Sequence, residues 1–595
     1  MCGIICLSKK FNHKLNQTFN LLKHRGPDLE NFITLDDLSI GHNLLQIRGE
    51  LNLSKQPKFA KNRKYILAFN GQIYNTEELK KKFSIDSATD LDTEIIVKLI
   101  DQVGLQFIKY IKGMFAILIY DTHEKKIHLF RDPSGQKHLY YYINNEDVII
   151  CSEINPFNSI LENSDFDNKS LVSNLILGYP LNESTLFKNI NRVLPGEQIV
   201  IDHNKKISKK LFKQFQNDYH TSDPQRVIQK TIENHLLTKK KIALNLSGGL
   251  DSNIILYEAL NFKSDISVFS TRFESKDEIY NHDYNLAKKI SNYYGVKLYT
   301  TNINFNDYLD NFEKSFSYIE EVNRNINNPV YYLNYINQKN NDYRSILSGD
   351  GGDEVFIGYD YYRRIGLKRK ILDYFKISKI LSTFLWFKEY IRYETPNLFI
   401  KNNHFNLITK KFLTLQNSLL SKKFYKNFYN SNIDHTSKYF CFLDQFNWLP
   451  NETFLRADKL GMRNNLEVRS PFSDLDLRRY FYQRMQKKKF LKKNNKPEIR
   501  NIYQDKLQPI ITNNFLKTGW TTPKDWLIRN EFVEKVISLV PDQDCDTFRW
   551  SILKNNIKKN KFTLLNKNIY SLISLSIIKK LNLVYYFLKQ ESVLQ

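Results

Sequence analysis

Cysteine is scarce in this chain and is not arranged in pairs. The 595 residues contain five cysteines, Cys2, Cys6, Cys151, Cys441 and Cys545. An odd and scattered set argues against a disulfide framework and against a zinc site, and it is typical of a reducing cytosol. No basic segment followed by an apolar run opens the chain, so we predict no secretory signal and a cytoplasmic location.

The chain also lacks an uninterrupted apolar run long enough to cross a membrane. The most apolar late stretch, Ile569 to Leu588, is broken by Lys579 and Lys580. This pattern predicts a packed helix and no membrane span. With 42% hydrophobic and 25% charged residues, the composition is ordinary for a globular protein, and the length predicts two or more domains.

Acidic residues are outnumbered by basic ones, 63 to 88, which gives a formal net charge of +25. Such an excess can mark a nucleic-acid-binding protein. However, the lysines are spread along the chain, and the densest cluster, Arg484 to Lys496, is short. We therefore interpret the excess as a solvated basic surface and expect no nucleic-acid partner.

A glycine turn in the stretch KIALNLSGGLDS, residues 241–252, is the strongest local signal. Apolar residues alternate before the turn, as in a buried strand, and residues 254–260 have the composition of a helix. Glycines let backbone N–H groups approach phosphate oxygens, and a helix N-terminus favours the anion. No Gly-Lys-Ser/Thr follows, so the stretch predicts a phosphate cradle that is not a Walker loop.

The first residues permit a second kind of chemistry. Removal of Met1 would leave Cys2 at the N-terminus, where an α-amine with a pKa of ~7.7–8.0 is partly unprotonated near neutral pH and can activate the thiol. A predicted strand at 65–69 leads into Asn70 and Gly71. Their side-chain amide and backbone N–H could stabilise a developing oxyanion. The alternating strands up to residue 153 predict two packed sheets with helices outside.

A second glycine turn, SGDGGDE at 348–354, follows a short apolar strand at 345–347. Acidic residues beside glycines suit Mg²⁺ that is bound together with pyrophosphate, because Mg²⁺ prefers oxygen ligands and keeps positions for substrate phosphates. After SGGLDS, this turn predicts a nucleotide site that uses Mg²⁺.

These motifs, in this order, resemble a class II glutamine amidotransferase domain joined to a PP-loop ATP pyrophosphatase domain, as in the glutamine-dependent asparagine synthetase family. The resemblance runs from Cys2 to about Trp526 and includes LRADK at 455–459, EVR at 467–469 and KTGW at 517–520. It implies that residues 444–474 form helices packed over the active site. The implied fold is α/β plus α+β: an αββα N-terminal-nucleophile hydrolase sandwich (2–206), a linker (207–224), a Rossmann-like parallel-sheet synthetase domain (225–535) and a C-terminal helical extension (536–595).

For the first domain, the resemblance implies hydrolysis of glutamine through a thioester. Cys2 would attack the side-chain amide, and Asn70 and Gly71 would stabilise the oxyanion. Asp92 would bind the α-amino group of glutamine, and Arg25 would order the cap of the pocket.

For the second domain, the resemblance implies binding of ATP with Mg²⁺ and adenylation of a carboxylate, aspartate in this family. Asp251 and Asp353 would hold Mg²⁺, Asp350 would handle the proton of ammonia, and Lys517 would lie on the pyrophosphate. The residues implied for ATP are Leu246, Ser247, Gly248, Gly249, Asp251, Ser252, Ser270, Ser348 and Gly349.

Several departures from the family leave glutamine affinity and the acceptor open. Leu44 stands where the family has an arginine for the glutamine α-carboxylate, and an aliphatic side chain cannot replace a charge-assisted grip. Arg48 could serve from a nearby position. Gln72 and Asp350 both stand where the family usually has glutamate, and the stretch 320–329 fits the family poorly.

The sequence thus predicts a glutamine-hydrolysing asparagine synthetase acting on glutamine, aspartate and ATP. It leaves the oligomeric state open, with a homodimer as one option. The nearest alternative is an asparagine-synthetase-like enzyme that amidates another carboxylate, such as a sugar acid of a surface polysaccharide. A PP-loop RNA-modifying enzyme is less favoured, because no cysteine pair or basic appendage accompanies the loop. A non-catalytic homologue is opposed by the retention of Cys2, Asp251, Asp353 and Lys517.

Overall fold

The fold is given by a computed structural model. It describes residues 2–87, 89, 91–161, 165–180, 182–212, 223–263, 265–359, 362, 441–442, 444–487, 495–514, 519–542, 550–565 and 569–580. Lys517 and the stretch 371–427 lie outside the described residues. We call residues 2–212 the N-terminal region and residues 223–580 the C-terminal region.

The N-terminal region is built from two antiparallel sheets. Its strands are β1 (Gly3–Ser8), β2 (Leu29–Thr34), β3 (Leu38–Leu44), β4 (Lys58–Ala60), β5 (Tyr65–Ile73), β6 (Gly113–Asp121), β7 (Lys126–Arg131), β8 (Tyr140–Ile143), β9 (Val148–Cys151), β10 (Ile190–Arg192), β11 (Glu197–Ile201) and β12 (Ile207–Leu211). One sheet has the order β10-β8-β9-β1-β3-β2, and the other has the order β12-β11-β7-β6-β5-β4. Its helices are α1 (Leu15–Leu22), α2 (Thr76–Phe83), α3 (Asp92–Val103), α4 (Asn155–Ile160) and α5 (Asn168–Leu177).

Strand alternation explains how these layers stack. Successive side chains of a strand point to opposite faces, and in β1 Ile4 packs against the second sheet while Ile5 packs against α1 and α4. On the far side, the apolar face of α3 covers the second sheet. The order of layers is helix, sheet, sheet, helix, which confirms the predicted αββα sandwich.

The predicted linker begins with structure of its own. Residues 207–211 form β12, which pairs antiparallel with β11, so these residues belong to the second sheet. Residues 213–222 lie outside the described part of the chain, and the next helix begins at Pro224, capped by the Asp223 side chain. The division into domains otherwise stays a prediction.

The C-terminal region is built around a parallel sheet with the order β15-β14-β13-β16-β17. Its strands are β13 (Ile242–Asn245), β14 (Ser267–Phe273), β15 (Leu298–Ile303), β16 (Ser345–Leu347) and β17 (Glu467–Arg469). Its helices are α6 (Pro224–His235), α7 (Leu250–Leu260), α8 (His282–Tyr294), α9 (Phe305–Ser317), α10 (Asn328–Asn340), α11 (Gly352–Phe356), α12 (Phe454–Met462), α13 (Leu475–Lys487), α14 (Pro497–Tyr503), α15 (Pro509–Thr512), α16 (Asn530–Leu539), α17 (Trp550–Lys559) and α18 (569–580).

The strand order creates a switch point at the centre of this sheet. The chain runs from β13 to β14 on one side, whereas β16 pairs with β13 on the other side. In parallel sheets, ligands bind beyond the carboxyl ends of strands at such a point. The two glycine turns follow β13 and β16, so the fold brings both to the position where a ligand is expected.

The stretch 444–474 is only partly helical. A π-helical segment, Asp444–Thr453, leads into α12, as the sequence predicted. Residues 467–469 instead form β17, which pairs with β16 at the edge of the sheet. The prediction of helices was wrong here, because a three-residue strand leaves too short a pattern to be recognised.

Two adjacent glutamates join the two regions. Glu320 accepts the backbone N–H groups of Ile154 and Asn155 at 2.9 and 3.1 Å. Glu321 forms an ion pair of 2.6 Å with Arg192, and both side chains are completely buried. These residues open the stretch that fits the family poorly, and their contacts give that part of the stretch a role in domain packing.

The C-terminal helices belong to the same packed body. One continuous apolar cluster includes Phe157 and Phe187 of the N-terminal region together with Trp526 and Ile573. Helix α18 also holds the backbone N–H of Asn323 through the Ser574 hydroxyl, at 3.1 Å. Among the described residues, no helix combines the length and apolarity needed to cross a membrane.

Two candidate active sites

Cys2 lies immediately before β1 and is almost completely buried. Its backbone N–H donates to Asn70 Oδ1 at 2.8 Å, and its carbonyl accepts from Arg25 Nε at 3.2 Å. Burial raises the pKa of the thiol, so the neutral thiol predominates near neutral pH. An attack by this sulfur therefore requires a nearby base, such as the α-amine of an N-terminal cysteine.

The two predicted oxyanion groups are next to this thiol. Asn70 is completely buried, and its Nδ2 has no hydrogen-bond partner among the described residues. Gly71 lines the same cavity as Cys2, and a Cβ at this position would lie 2.1 Å from the carbonyl oxygen of Met114. Only glycine fits at position 71. The buried Nδ2 group of Asn70 can donate a hydrogen bond to an anionic oxygen.

The Cys2 cavity carries both charges that an amino acid requires. Asp92, at the start of α3, accepts backbone N–H groups of Ile73 and Thr93 at 3.2 and 2.9 Å. Burial raises the pKa of Asp92, and the positive charge of Arg48 opposes that shift. Asp92 and Arg48 both line the cavity, which therefore offers a carboxylate for an ammonium group and a guanidinium for a carboxylate.

The two departures in this cavity have different surroundings. Leu44 lines the cavity as an aliphatic wall, and Arg48, four residues later, supplies the cation. The Gln72 side chain accepts from Arg469 NH2 at 3.4 Å, across the contact between the two regions. Glu467 of the C-terminal region also lines the cavity. The sequence assigned no role to Glu467, because its proximity to Cys2 arises only from tertiary packing.

Arg25, which the resemblance assigns to the cap of the glutamine pocket, is held in a network of buried ion pairs. Its guanidinium is completely buried and pairs with Glu153 at 2.9 Å and Asp458 at 2.9 Å. It is not among the residues that line the Cys2 cavity. Through its bond to the Cys2 carbonyl, Arg25 positions the nucleophile and contacts both regions.

The SGGLDS turn connects β13 to α7 and is held closed by its own side chains. The Ser247 hydroxyl accepts the N–H of Gly249 at 3.1 Å and lies 3.2 Å from the Ser252 hydroxyl. Asn253 Nδ2 donates to the Gly249 carbonyl at 2.7 Å. These bonds fix the turn in front of the N-terminus of an eleven-residue helix, where the helix dipole attracts anions.

The neighbouring strand contributes a buried hydroxyl to this site. The N–H of Leu246 continues the sheet by bonding to the carbonyl of Phe269 at 2.8 Å, so Ser270 lies level with the turn. Ser270 is completely buried, and its hydroxyl has no hydrogen-bond partner among the described residues. A buried hydroxyl of this kind is suited to a polar ligand.

The second glycine turn packs directly against the first. A Cβ on Gly352 would lie 2.5 Å from Asp251 Cγ, so only glycine permits this approach. The Ser348 hydroxyl donates to Asp350 Oδ2 at 2.8 Å, and the Ser348 N–H donates to the Arg469 carbonyl at 2.8 Å. The fold thus gathers Asp251, Ser348 and Asp350, predicted from separate motifs, at one place.

Lys496, at the start of α14, joins the two aspartates predicted to bind Mg²⁺. Its Nζ forms ion pairs with Asp251 and, at 2.8 Å, with Asp353. Burial opposes the charge on Lys496, but the two carboxylates outweigh it and raise the pKa of the lysine. Within the described residues, no cluster of three or more His, Cys, Asp or Glu side chains could hold a metal by itself. The two carboxylates of Asp251 and Asp353 suit a Mg²⁺ ion whose remaining ligands come from the phosphates bound with it.

A buried arginine lies behind Asp350. Arg456 has its Nε 3.3 Å from Glu452 Oε1, and its guanidinium lies 3.8 Å from the ring centre of Tyr331. Burial raises the pKa of Asp350, and Arg456 opposes that shift. Asn325 donates to Glu452 at 2.9 Å. Asp350 is thus a buried carboxylate that can accept a proton, and the Arg456–Glu452 ion pair lies in its surroundings.

Comparisons with known proteins agree with this arrangement. A family model described as a glutamine amidotransferase domain matches residues 1–213, and one described as asparagine synthase matches residues 225–569. The chain is 25% identical to glutamine-hydrolyzing asparagine synthetase 1 of Bacillus subtilis (strain 168), over 92% of this chain and 91% of the relative. It is 27% identical to glutamine-hydrolyzing asparagine synthetase of Cricetulus griseus, over 61% of this chain and 68% of the relative.

Among solved structures, one titled as the allosteric regulatory enzyme of purine biosynthesis is 12% identical, with a TM-score of 0.28, over 51% of this chain and 80% of that one. The asparagine synthase model by itself spans more than half of the chain. The chain therefore belongs to the asparagine synthase family of glutamine-dependent carbon–nitrogen ligases.

Proposed function

We propose that this protein makes asparagine, by adenylating aspartate with ATP and amidating it with ammonia from glutamine. The products are asparagine, glutamate, AMP and pyrophosphate. The observation that carries the proposal is the contact between the SGGLDS and SGDGGDE turns, where Asp251 and Asp353 share Lys496. This is a site for a polyanion with a divalent cation, in a chain that also holds the Cys2 cavity.

In the N-terminal region, Cys2 Sγ attacks the side-chain carbonyl carbon of glutamine. The thiol proton passes through the α-amine to the departing ammonia. Asn70 Nδ2 and the N–H of Gly71 stabilise the tetrahedral oxyanion, and water then cleaves the thioester to give glutamate. Asp92 binds the α-ammonium group of glutamine and Arg48 binds its α-carboxylate. Arg48 thus takes the role of the arginine that the family has at the position of Leu44.

In the C-terminal region, the aspartate side-chain carboxylate attacks the α-phosphorus of ATP and displaces pyrophosphate. The turn at 247–252 holds the pyrophosphate, and Ser270, Leu246, Ser348 and Gly349 surround the nucleotide. Mg²⁺ that enters with ATP would be held by Asp251 and Asp353 and would neutralise phosphate charge. Lys517 would offset the charge of the leaving pyrophosphate.

Asp350 then accepts a proton as ammonia attacks the acyl-adenylate and AMP departs. Its raised pKa supports this assignment, because a base works best when its pKa approaches the working pH. We assign ammonia a route inside the protein, from the Cys2 cavity, which Glu467 of the C-terminal region also lines, to the acyl-adenylate. Such a route also keeps water from the acyl-adenylate. We place these reactions in the cytoplasm.

Aspartate is the acceptor we favour over a sugar acid. The stretch 320–329 suggested another acceptor because it departs from the family, yet Glu320 and Glu321 of this stretch contact the N-terminal region. The packing of the two regions therefore explains why glutamates stand at positions 320 and 321.

The proposal is tested by measuring pyrophosphate release from ATP and Mg²⁺ while scanning aspartate against other carboxylates. Either glutamine or ammonium serves as the nitrogen source. We expect aspartate-dependent release, with asparagine formed from both sources. Turnover with a sugar acid and none with aspartate would overturn the assignment of the acceptor. Asparagine from ammonium alone would overturn the assignment of the Cys2 cavity.

A further inference from the structure

Glu467 brings a side chain of the C-terminal region into the Cys2 cavity. It is the first residue of β17 and is 1% exposed, and it lines the cavity together with Cys2 and Asp92. Strand alternation directs its side chain, because the next residue, Val468, points the other way into an apolar core with Leu455. The edge position of β17 in its sheet lets Glu467 reach the neighbouring region.

A neighbouring arginine holds the Glu467 carboxylate in place. Arg469 Nε donates to Glu467 Oε1 at 2.6 Å. The same guanidinium donates to the carbonyls of His235 and Leu237 at 2.6 and 2.8 Å. Arg469 is itself completely buried. The carboxylate is therefore part of a rigid wall, which is the condition for a group that selects between similar ligands.

The negative charge of Glu467 acts on the Cys2 thiol. Burial opposes ionisation of this carboxyl, but Arg469 and other nearby positive charges, Lys137 among them, outweigh that effect and lower the pKa of Glu467. Burial is the main cause of the raised pKa of the Cys2 thiol, and the charge of Glu467 raises it further, more than the charge of Asp92 does. Arg469, which holds Glu467, also donates to Gln72, the residue after Gly71. Glu467 therefore lies at the Gly71 end of the cavity, where the reacting end of the substrate must be.

Glutamine and glutamate differ only at that reacting end. The amide of glutamine offers two N–H donors, whereas the carboxylate of glutamate offers none and carries a negative charge. A fixed, buried carboxylate accepts a hydrogen bond from the amide and repels the carboxylate.

We propose that Glu467 is a specificity-determining residue that favours glutamine over glutamate in the Cys2 cavity. The inference rests on the proposed function, because it requires glutamine to be the occupant. Glu467 accepts an N–H of the substrate amide, and it disfavours the product glutamate once the thioester has been hydrolysed. Since β17 belongs to the C-terminal region, the glutamine pocket is complete only when the two regions are packed together.

The test measures binding of glutamine and glutamate to the full chain carrying Cys2→Ala, which cannot turn over either ligand. With Glu467 present, we expect glutamine to bind about 10- to 100-fold more tightly than glutamate, as for a hydrogen bond to a charged group. Adding Glu467→Gln should weaken glutamine and strengthen glutamate, so that most of this preference is lost. An unchanged preference would overturn the proposal.

Asp92→Asn is the matched control, because Asp92 faces the α-ammonium group that both ligands share. It should weaken glutamine and glutamate together and leave their ratio unchanged. A shift of both ligands in the same direction for Glu467→Gln would assign Glu467 a merely structural role.

A third ligand keeps the test decisive if Glu467→Gln does not fold. The γ-methyl ester of glutamate lacks both the amide donors and the negative charge. On the Cys2→Ala chain it should bind more weakly than glutamine and more tightly than glutamate, and equal binding of ester and glutamate would contradict the proposal. Absence of glutaminase activity in the unaltered chain would instead count against the proposed function.

Discussion

The two sites of this molecule are assembled in opposite ways. In the C-terminal region, two glycine turns follow neighbouring parallel strands, and the chemistry-bearing aspartates lie within those turns. The Cys2 cavity instead is lined by several segments that are distant in the sequence, including Glu467 from the other region. A site made of local turns can be recognised in the sequence, whereas a site made by packing can be recognised only in part.

The two sites also manage charge differently. Two carboxylates meet one buried lysine at the turn site, which suits a ligand that brings both phosphate and a cation. The Cys2 cavity spreads single charges around a buried, neutral thiol, which suits a zwitterion. The following predictions test whether each site performs its own half of the reaction, in decreasing order of the expected change.

Replacing the nucleophile should separate the two sites most clearly. Cys2→Ala removes the sulfur, so we expect glutamine hydrolysis and glutamine-dependent synthesis to fall by about 10⁴-fold or more, as when a nucleophile is deleted. Ammonium-dependent pyrophosphate release should continue, because the turn site is intact. Parallel assays of glutamate and pyrophosphate check this, and Cys6→Ala, a buried cysteine in the middle of β1, is the matched control. Equal loss of both activities would refute the separation.

The converse change is Asp353→Asn. It removes one of the two carboxylates that share Lys496, and we expect ATP-dependent pyrophosphate release to fall about 10²- to 10³-fold, as when one electrostatic group of a site is lost. Glutamine hydrolysis should persist. Asp265→Asn, whose side chain is 77% exposed, is the control. Retention of pyrophosphate release by Asp353→Asn would contradict the role of the paired aspartates.

Arg48→Ala should weaken the Cys2 cavity without stopping its chemistry. Loss of a charge-assisted bond to the α-carboxylate should raise the KM for glutamine by about 10- to 100-fold, with a smaller change in kcat. Steady-state glutaminase kinetics provide the measurement. Lys55→Ala removes a nearby exposed cation outside the cavity and should leave the KM unchanged. An unchanged KM in Arg48→Ala would show that a cation other than Arg48 binds the α-carboxylate of glutamine.

The smallest effect concerns acid stability of the N-terminal region. Burial lowers the pKa of His128 in β7 to about 4, below the ordinary value of ~6.5. The unfolded chain then binds more protons than the folded one between these values. Stability is complete above pH ~6.5 and decreases by up to about 1.4 kcal/mol per pH unit as the pH falls toward 4.

His128→Gln should reduce this dependence of stability on pH. The thermal midpoint, followed from pH 7 to pH 4.5, should fall less steeply in the variant than in the unaltered chain. His123→Gln, an exposed histidine on the adjacent turn, should leave the slope unchanged. Identical slopes for the unaltered chain and His128→Gln would contradict the prediction.

The fold class and the residues of continuous motifs follow from the amino-acid sequence alone. The alternation before Asn70 indicated a strand, and the glycine turns identified the positions of Asp251 and Asp353, because the conformation of a turn depends on its own residues. The αββα sandwich and the parallel sheet were both predicted correctly. Arg48 was recognised as an option, but its position in the cavity was not.

The packed fold is needed to see which side chains from distant segments meet. It put Lys496 between two aspartates, directed Arg25 toward Glu153 and Asp458, and made residues 467–469 a strand whose glutamate reaches the Cys2 cavity. A three-residue strand has no pattern of its own, and its partner at 345–347 lies more than a hundred residues away. The free energy that brings such segments together comes from burial of apolar surface, which is non-directional, so no local motif records the contacts that result.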